Sequence, residues 1–155
     1  KEVMTIHEAN GIKVNPAPKG ILFDSKLNQA GELGLPSTEF RITDATSVDT
    51  SGRFWVTNYM YPGDKKYFKS AVDSLAVKYG IGATHKQSNA VERLVEFRFT
   101  GDKILPSGSA PIYLKLNLED DSRNWEGIVR LEEKGFLIVT DKYPKTLLAF
   151  VPNHN

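Results

Sequence analysis

The chain has 155 residues and a formal net charge of +1, which is the size of one ordinary domain and leaves no excess charge to steer it toward nucleic acid or acidic membranes. Hydrophobic residues make up 40% and charged residues 25%, the balance of a soluble globular protein, and no apolar run approaches the roughly 20 residues of a membrane span. The chain contains no cysteine, which excludes a disulfide framework, a thiolate nucleophile and a cysteine-ligated zinc site. We expect a single domain over residues 1–155, with no nucleic-acid partner and no membrane span.

The first third of the chain predicts short strands interrupted by turns. Residues 12–14 and 20–23 are apolar runs, and two prolines separate them. Residues 29–37 contain three Gly or Pro residues and predict a loop. Residues 40–42 lead into the segment that begins at Asp44, and residues 55–57 are an apolar run that predicts a strand.

Residues 62–80 interrupt the β pattern with helical spacing. Asp64 follows a Pro-Gly turn and is a good N-cap, and Gly80 is a favourable residue just past a helix end. We predict one helix of about four turns near residues 64–79, inserted between strands. Its apolar residues are Phe68, Val72, Leu75 and Tyr79. The lysines around it, which predict either a solvated face or a docking surface for an acidic partner, are Lys65, Lys66, Lys69 and Lys78.

Strands resume after residue 90. Residues 93–99 and 111–118 alternate, and a hairpin turn is predicted between residues 99 and 104. Residues 120–123 predict a turn. Residues 124–152 contain three apolar runs, each ended by charge, Gly or Pro, which predict an antiparallel β-meander.

Short segments in three parts of the chain match one another. Residues 8–12, 44–48 and 124–128 share an order of polar, spacer, polar, small and β-branched residues. Residues 54–58 follow the middle copy as residues 137–141 follow the last copy, and a Gly-containing turn precedes each. Two matched strands in the same order indicate a repeated unit.

The last part of the chain resembles a known family. The sequence Asn-Trp-Glu-Gly-Ile at residues 124–128 is followed by a strand ending Val-Thr-Asp-Lys-Tyr-Pro at 139–144 and by Leu-Leu-Ala-Phe-Val-Pro at 147–152. Together they look like a blade of a phytase-like esterase β-propeller. They are similar, more loosely, to strictosidine-synthase and calcium-dependent lactonase propellers. The resemblance is strongest over residues 44–58 and 91–152, and it implies four-stranded antiparallel blades around a central channel.

The resemblance also implies where a site would lie. The inner strands of such blades begin near the channel, so Glu126, Thr46 and Asn10 would face its mouth, with Asn58 and Asp141 close by. Related propellers hold a calcium ion with carboxylates and amides at such positions. The calcium ligands that the resemblance implies here are Glu126, Asp44, Glu8 and Asn10.

The length of the chain does not match a closed ring. Propeller blades take about 40–50 residues and rings need at least about four blades, so this chain without its insertion covers about three. We expect an all-β, propeller-like domain that forms part of a larger ring of six blades. A longer chain or a second chain would close the ring; a β-sandwich is the alternative.

A hydrolase is the first predicted function. It would act on a small ester or phosphoester at the channel mouth, with calcium as a cofactor. Glu126 and Asp141 would serve as ligands or base, and Asn58 and Lys142 would hold the substrate. The alternative for Glu126 is a turn carboxylate that caps backbone N–H groups, and the alternative for Asp141-Lys142 is a turn before the Tyr-Pro pair.

A non-catalytic module is the second predicted function. Its inserted helix and channel rim would bind a protein or a small ligand. His7 and His85 are either general bases or solvated loop residues, and His154 in the terminal tail is assigned no role. No Gly-x-Ser-x-Gly elbow and no Gly-rich phosphate loop occurs in the sequence.

Overall fold

The computed structural model describes residues 2–117, 122–142 and 145–153. Strands account for 45% and helices for 11%, which confirms the predicted all-β class. The strands are β1 (Val3–Ile6), β2 (Ala9–Asn10), β3 (Lys19–Phe23), β4 (Gln29–Gly34), β5 (Phe40–Ala45), β6 (Arg53–Met60), β7 (Val91–Phe99), β8 (Ile104–Pro106), β9 (Ile112–Tyr113), β10 (Trp125–Leu131), β11 (Gly135–Thr140) and β12 (Leu148–Pro152). The helices are α1 (Lys65–Phe68) and α2 (Ser74–Tyr79), with 3-10 turns at Pro62–Asp64 and His85–Gln87.

The strands form three antiparallel sheets. One has the order β1-β3-β4 and another the order β10-β11-β12. The largest has the order β2-β5-β6-β7-β8, with β9 also paired to β7, and it curls into a half-barrel. None of the helices in the described part of the chain is long and apolar enough to cross a membrane.

The β6–β7 hairpin is the centre of the fold. It pairs over eight positions, from Arg53↔Arg98 to Met60↔Val91. Because successive side chains of a strand point to opposite faces, the hairpin supplies two separate cores. The first core contains Leu33, Leu35, Ile42, Phe54, Val56, Val95, Phe97 and Ile104. The second core contains Trp55, Leu94, Leu114, Trp125, Ile128, Phe136 and Ile138.

The two smaller sheets cover opposite faces of this hairpin. Leu33 brings the β4 side of its sheet into the first core, and Ile128 and Ile138 bring β10 and β11 into the second. Nearly every residue of β6 and β7 is therefore buried, including the polar ones. A buried polar group is costly unless it is hydrogen-bonded, so the charged residues of β7 need partners inside the protein.

The sheets differ from the expected blades. The described strands form sheets of three, three and six strands, where repeated blades of four were expected. The matched segments also occupy different positions in their strands: Asp44 lies near the end of β5, whereas Glu126 lies near the start of β10. Both matched segments do lead into the second strand of a hairpin, β6 and β11, which accounts for their similar order.

The predicted single helix at residues 64–79 is wrong. Lys69 adopts a left-handed conformation (φ 43°, ψ 44°) and ends α1 after one turn. Asp73, not Asp64, caps a helix: its carboxylate accepts from Leu75 N and Ala76 N at 3.2 and 3.3 Å. The Asp64 carboxylate instead binds Arg41 Nε at 2.9 Å. The predicted end at Gly80 is confirmed, since Gly80 N donates to Ala76 O at 2.9 Å.

Three other local predictions need correction. Residues 12–14 were expected to form a strand, yet they form the turn between the bridged residues Gly11 and Asn15. Residues 29–37 were expected to be a loop, yet Gln29–Gly34 forms the edge strand β4, because Leu33 and Leu35 reach the first core. Residues 111–118 were expected to form one strand, yet only Ile112–Tyr113 pairs with β7. The hairpin turn before Ile104 is confirmed by a Thr100 N–Lys103 O hydrogen bond of 3.0 Å. The positions outside the described residues that carried predictions are Leu118, Asp120, Asp121, Tyr143, Pro144 and His154.

Candidate functional site

Glu8, Glu126 and Asp141, chosen from the sequence, meet in one region around Arg41. The pairing of Ala9 with Arg41 places Glu8 beside β5, and the Glu8 carboxylate forms a salt bridge with the Arg41 guanidinium. Asp141 N donates to Asn124 O at 3.1 Å, which fixes the end of β11 beside the start of β10. We name Glu8, Arg41, Glu126 and Asp141 the carboxylate cluster.

Glu126 occupies an irregular position in β10. The register against β11 shifts between Trp125 and Gly127, so Glu126 is the extra residue of a β-bulge. Bulges re-aim a side chain and are over-represented next to active sites. Gly127 permits the close approach of the strands here, because a Cβ at that position would lie 2.6 Å from Val139 Cγ1.

The electrostatics of the cluster act on Glu126. Partial burial raises the pKa of its carboxyl, and the nearby Glu8 and Asp141 carboxylates raise it further. A hydrogen bond from the Asn124 side chain and the charge of Arg41 act in the opposite direction. The net shift is upward, so the protonated form of Glu126 persists to higher pH than that of an ordinary glutamate.

Tyr59 borders the same region from inside the protein. It is buried, with 6% of its surface exposed. Burial and then the charge of Asp64 raise the pKa of its hydroxyl to about 12, with smaller contributions from Glu92 and Glu126. The phenol therefore stays protonated across the physiological range.

Asn58, predicted to hold a substrate, lies in the interior. Its side-chain amide donates to Glu39 O and Arg41 O at 2.9 and 3.0 Å. Its Oδ1 accepts from Arg93 Nε at 2.7 Å. The side chain thus links β5, β6 and β7, and it has no exposed surface for a substrate.

The other predicted residues lie at separate places. Asp44 Oδ2 accepts from Ile128 N at 2.8 Å, so this carboxylate ties β5 to β10. The side chain of the buried Asn10 donates from Nδ2 to His7 O and Glu8 O at 2.7 and 3.0 Å. Lys142 is exposed directly after Asp141.

The predicted calcium ligands do not assemble into a calcium site. Within residues 2–117, 122–142 and 145–153, no group of three or more His, Asp or Glu side chains is placed to hold a metal ion. Arg41 neutralises Glu8, and Ile128 N occupies one oxygen of Asp44. A calcium ion prefers six to eight oxygen ligands, and a guanidinium inside the proposed shell opposes it. The donor set does not fit the ion.

A buried polar network centred on Glu92 and Arg93 was not predicted from the sequence. Arg93 Nη1 and Nη2 donate to the two Asp73 oxygens at 2.7 and 3.1 Å. Glu92 Oε2 accepts from Arg123 Nε at 3.0 Å and from Trp125 Nε1 at 2.7 Å. Glu92 and Arg93 are each only 1% exposed. Two adjacent opposite charges, Glu92 and Arg93, at the start of a long strand were the signal that could have found this network.

His85 joins this network rather than a solvent-exposed loop. It is 6% exposed, its Nε2 accepts from Glu92 N at 3.1 Å, and its ring meets the Tyr113 ring edge-on. Burial lowers its pKa, and the charges of Arg93 and Arg123 lower it further. The imidazole is therefore neutral at physiological pH. Its burial argues against a solvated loop residue, and the hydrogen bond from Glu92 N to Nε2 argues against a general base.

Comparison with known proteins gives no match: no family model, no curated protein and no solved structure matches the chain.

Proposed function

We propose that the protein is a hydrolase that cleaves a small ester or phosphoester at the carboxylate cluster. The observation that carries this proposal is the raised pKa of Glu126 beside two other carboxylates. A carboxyl group with a raised pKa beside a second carboxylate is a usual arrangement for general acid and base catalysis. Glu126 and Asp141 both come from the C-terminal meander, and Glu8 comes from the start of the chain.

The roles follow from the raised pKa of Glu126 and from the position of Asp141 beside the start of β10. Glu126 donates its proton to the leaving oxygen as the scissile bond breaks. Asp141 accepts a proton from the attacking water. Lys142, the next residue, binds the anionic group of the substrate. Asn58 has no role in this scheme because its amide is buried and fully engaged.

The test compares Glu126→Gln with Glu133→Gln on p-nitrophenyl acetate and p-nitrophenyl phosphate. Glu133 is a matched control, since its side chain is 87% exposed on the turn after the same strand. We expect Glu126→Gln to lower kcat by about 100-fold, the usual contribution of a general acid, and Glu133→Gln to leave it unchanged. Wild-type rates equal to those of buffer, or equal rates for both variants, would overturn the proposal.

The propeller arrangement belongs to the same proposal. A ring would place further strands beside the ones described here, either from a longer chain or from a second chain. Light scattering during size exclusion decides between the arrangements. A discrete oligomer supports a ring closed by a second chain, and a stable monomer favours a self-contained β-sandwich.

Calcium dependence is tested separately because the ligand set gives it no support. A ligand that binds only the folded state raises the melting temperature by mass action. A calcium-dependent rise that Glu126→Gln removes would restore the predicted metal site. An unchanged melting temperature would leave the reaction to the side chains alone.

A second candidate function, a non-catalytic binding module, is favoured by the surface of the insertion at residues 61–90. Its two acidic residues are turned inward, where Asp64 pairs with Arg41 and Asp73 with Arg93. Its lysines are all exposed: Lys65, Lys66, Lys69, Lys78 and Lys86. The outward charge is therefore entirely positive, which suits an acidic protein partner. Replacing Lys65, Lys66 and Lys69 with Ser would weaken binding to that partner without changing ester hydrolysis.

A further inference from the structure

A cleft of about 870 Å³ lies between β1 and β5, and none of the four residues of the carboxylate cluster lines it. Its volume falls within the roughly 300–1,000 Å³ of ligand sites. Consecutive residues line both sides: residues 3–6 of β1, and residues 42–48 of β5 and the turn after it. Because the side chains of a strand alternate between faces, a run of consecutive lining residues means that strand edges, not faces, border the cleft.

Both edges are open within the described part of the chain. β1 pairs only with β3. β2 covers β5 only at Phe40 and Arg41, and Ile42 N donates to Glu8 O at 2.8 Å. Residues 43–45 of β5 therefore have no paired strand on that edge among the described residues. An open edge presents a row of unpaired N–H and C=O groups, which is a template for another strand.

The β1 edge is the regular one. His7 N donates to Lys19 O at 3.3 Å, in register with the β1–β3 pairs. Hydrogen-bonded pairs alternate along an antiparallel ladder, so Thr5 pairs with β3 through its backbone while Met4 and Ile6 turn their N–H groups away from β3. The β5 edge is irregular, since its register shifts between Ile42 and Ala45, and such a bulge disfavours further pairing.

The floor and the rim of the cleft specify what would fill it. Ile42 and Phe54 belong to the first core, and Leu22 and Phe99 pack against it, so the floor is apolar. Glu2 and Asp44 are the charged lining residues, and no cation lines the cleft. Neither carboxylate takes part in a salt bridge within the described residues.

We propose that the cleft binds an extended polypeptide segment of a partner protein, which adds as a strand to the free edge of β1. Main-chain hydrogen bonds to Met4 and Ile6 supply affinity. Alternate apolar side chains contact Ile42 and Phe54, and one lysine or arginine of the segment pairs with Asp44. This is strand addition, in which the backbone gives affinity and alternate side chains give specificity.

The probe is a fluorescein-labelled hexapeptide, Thr-Val-Lys-Val-Thr-Val, followed by fluorescence anisotropy with the full chain. Met4→Pro removes an N–H that faces the cleft, and Met4→Ala is the matched control that loses the same side chain and keeps the N–H. Proline at that position leaves the β3 ladder intact. We expect Met4→Pro to bind the peptide about tenfold more weakly than Met4→Ala.

A second pair of measurements tests the charge. Asp44→Asn keeps an acceptor for Ile128 N and removes the negative charge. We expect it to weaken binding of the lysine peptide about threefold and to leave binding of a peptide with Thr in place of Lys unchanged. Circular dichroism and melting temperature confirm that each variant is folded.

Three results would overturn the assignment. The first is the absence of saturable binding to the wild-type chain up to millimolar peptide. The second is equal affinity of Met4→Pro and Met4→Ala. The third is concentration-dependent dimerisation of the wild type that Met4→Pro abolishes, which would identify a second copy of this chain as the occupant.

Discussion

Two charged regions of the molecule use the same residue types in opposite ways. In the buried network, the Arg93 side chain is fully enclosed and every donor group meets an acceptor: Asn58, Asp73 or Tyr113. In the carboxylate cluster, Glu126 and Asp141 are exposed, and the Arg41 guanidinium forms its salt bridges with Glu8 and with Asp64. The partners of Arg93 make the first region structural, and exposure leaves Glu126 and Asp141 of the second region in contact with solvent.

The largest expected effect comes from breaking the buried region. Arg93→Met would leave Asp73 without its counter-ion and Asn58 Oδ1 without its donor. Removing one partner of a buried ion pair typically costs about 3–5 kcal/mol. Urea unfolding should show this loss.

Arg41→Met is the comparison for that experiment, because the Arg41 side chain is 28% exposed and water can replace its partners. We expect Arg41→Met to lower the free energy of unfolding by about 1 kcal/mol. Equal losses for the two variants would show that burial does not separate the two regions.

A smaller effect is expected from pH, acting through His85. Its folded-state pKa lies below the unfolded value, so the unfolded chain binds a proton more readily as pH falls below about 6.5. The stability that neutral His85 contributes is therefore present above that pH and declines as pH falls toward the folded pKa.

Unfolding free energies at pH 7 and pH 5 check this. The wild type should lose more stability between them than His85→Gln does, by at most about 1.4 kcal/mol per pH unit for one proton. If the unfolding free energy of His85→Gln changes with pH as much as that of the wild type, other titrating groups cause the pH dependence.

The smallest expected effect concerns Glu126 itself. Its pKa is raised on folding, so its ionised form is disfavoured in the folded state, and its contribution to stability declines as pH rises through the region above its unfolded pKa. Glu126→Gln at pH 7 should leave the unfolding free energy the same or raise it by less than about 0.5 kcal/mol. A clear destabilisation would mean that the Glu126 carboxylate caps backbone N–H groups and has a structural role.

The strands and the sites were unequally predictable from the sequence. The hairpin turn before Ile104, the long strand β7 and the C-terminal meander follow from local alternation and turn residues, and they are present. The break at Lys69 was not predictable, because Asp73 is drawn to Arg93, a contact across 20 positions of the chain. The same holds for β4, whose burial depends on strands that lie far away in the sequence.

The site was predictable only in part for the same reason. Polar residues at strand ends pointed to Glu8, Glu126 and Asp141, and the fold brings these together. The same reasoning also selected Asn58 and Asn10, which are buried. Sequence alternation cannot tell a polar residue that faces solvent from one that faces a second core, because here both faces of the central sheet are covered.

The insertion between β6 and β7 has a consequence for how the chain could be shortened. Its two ends meet at the paired residues Met60 and Val91, so a tight turn could replace residues 61–90 without moving either strand. Such a chain would nevertheless contain Arg93 with no carboxylate beside it, since Asp73 belongs to the removed segment. Deleting the insertion would therefore also require an apolar residue in place of Arg93 and a new acceptor for Glu92 N, which donates to His85 of the removed segment.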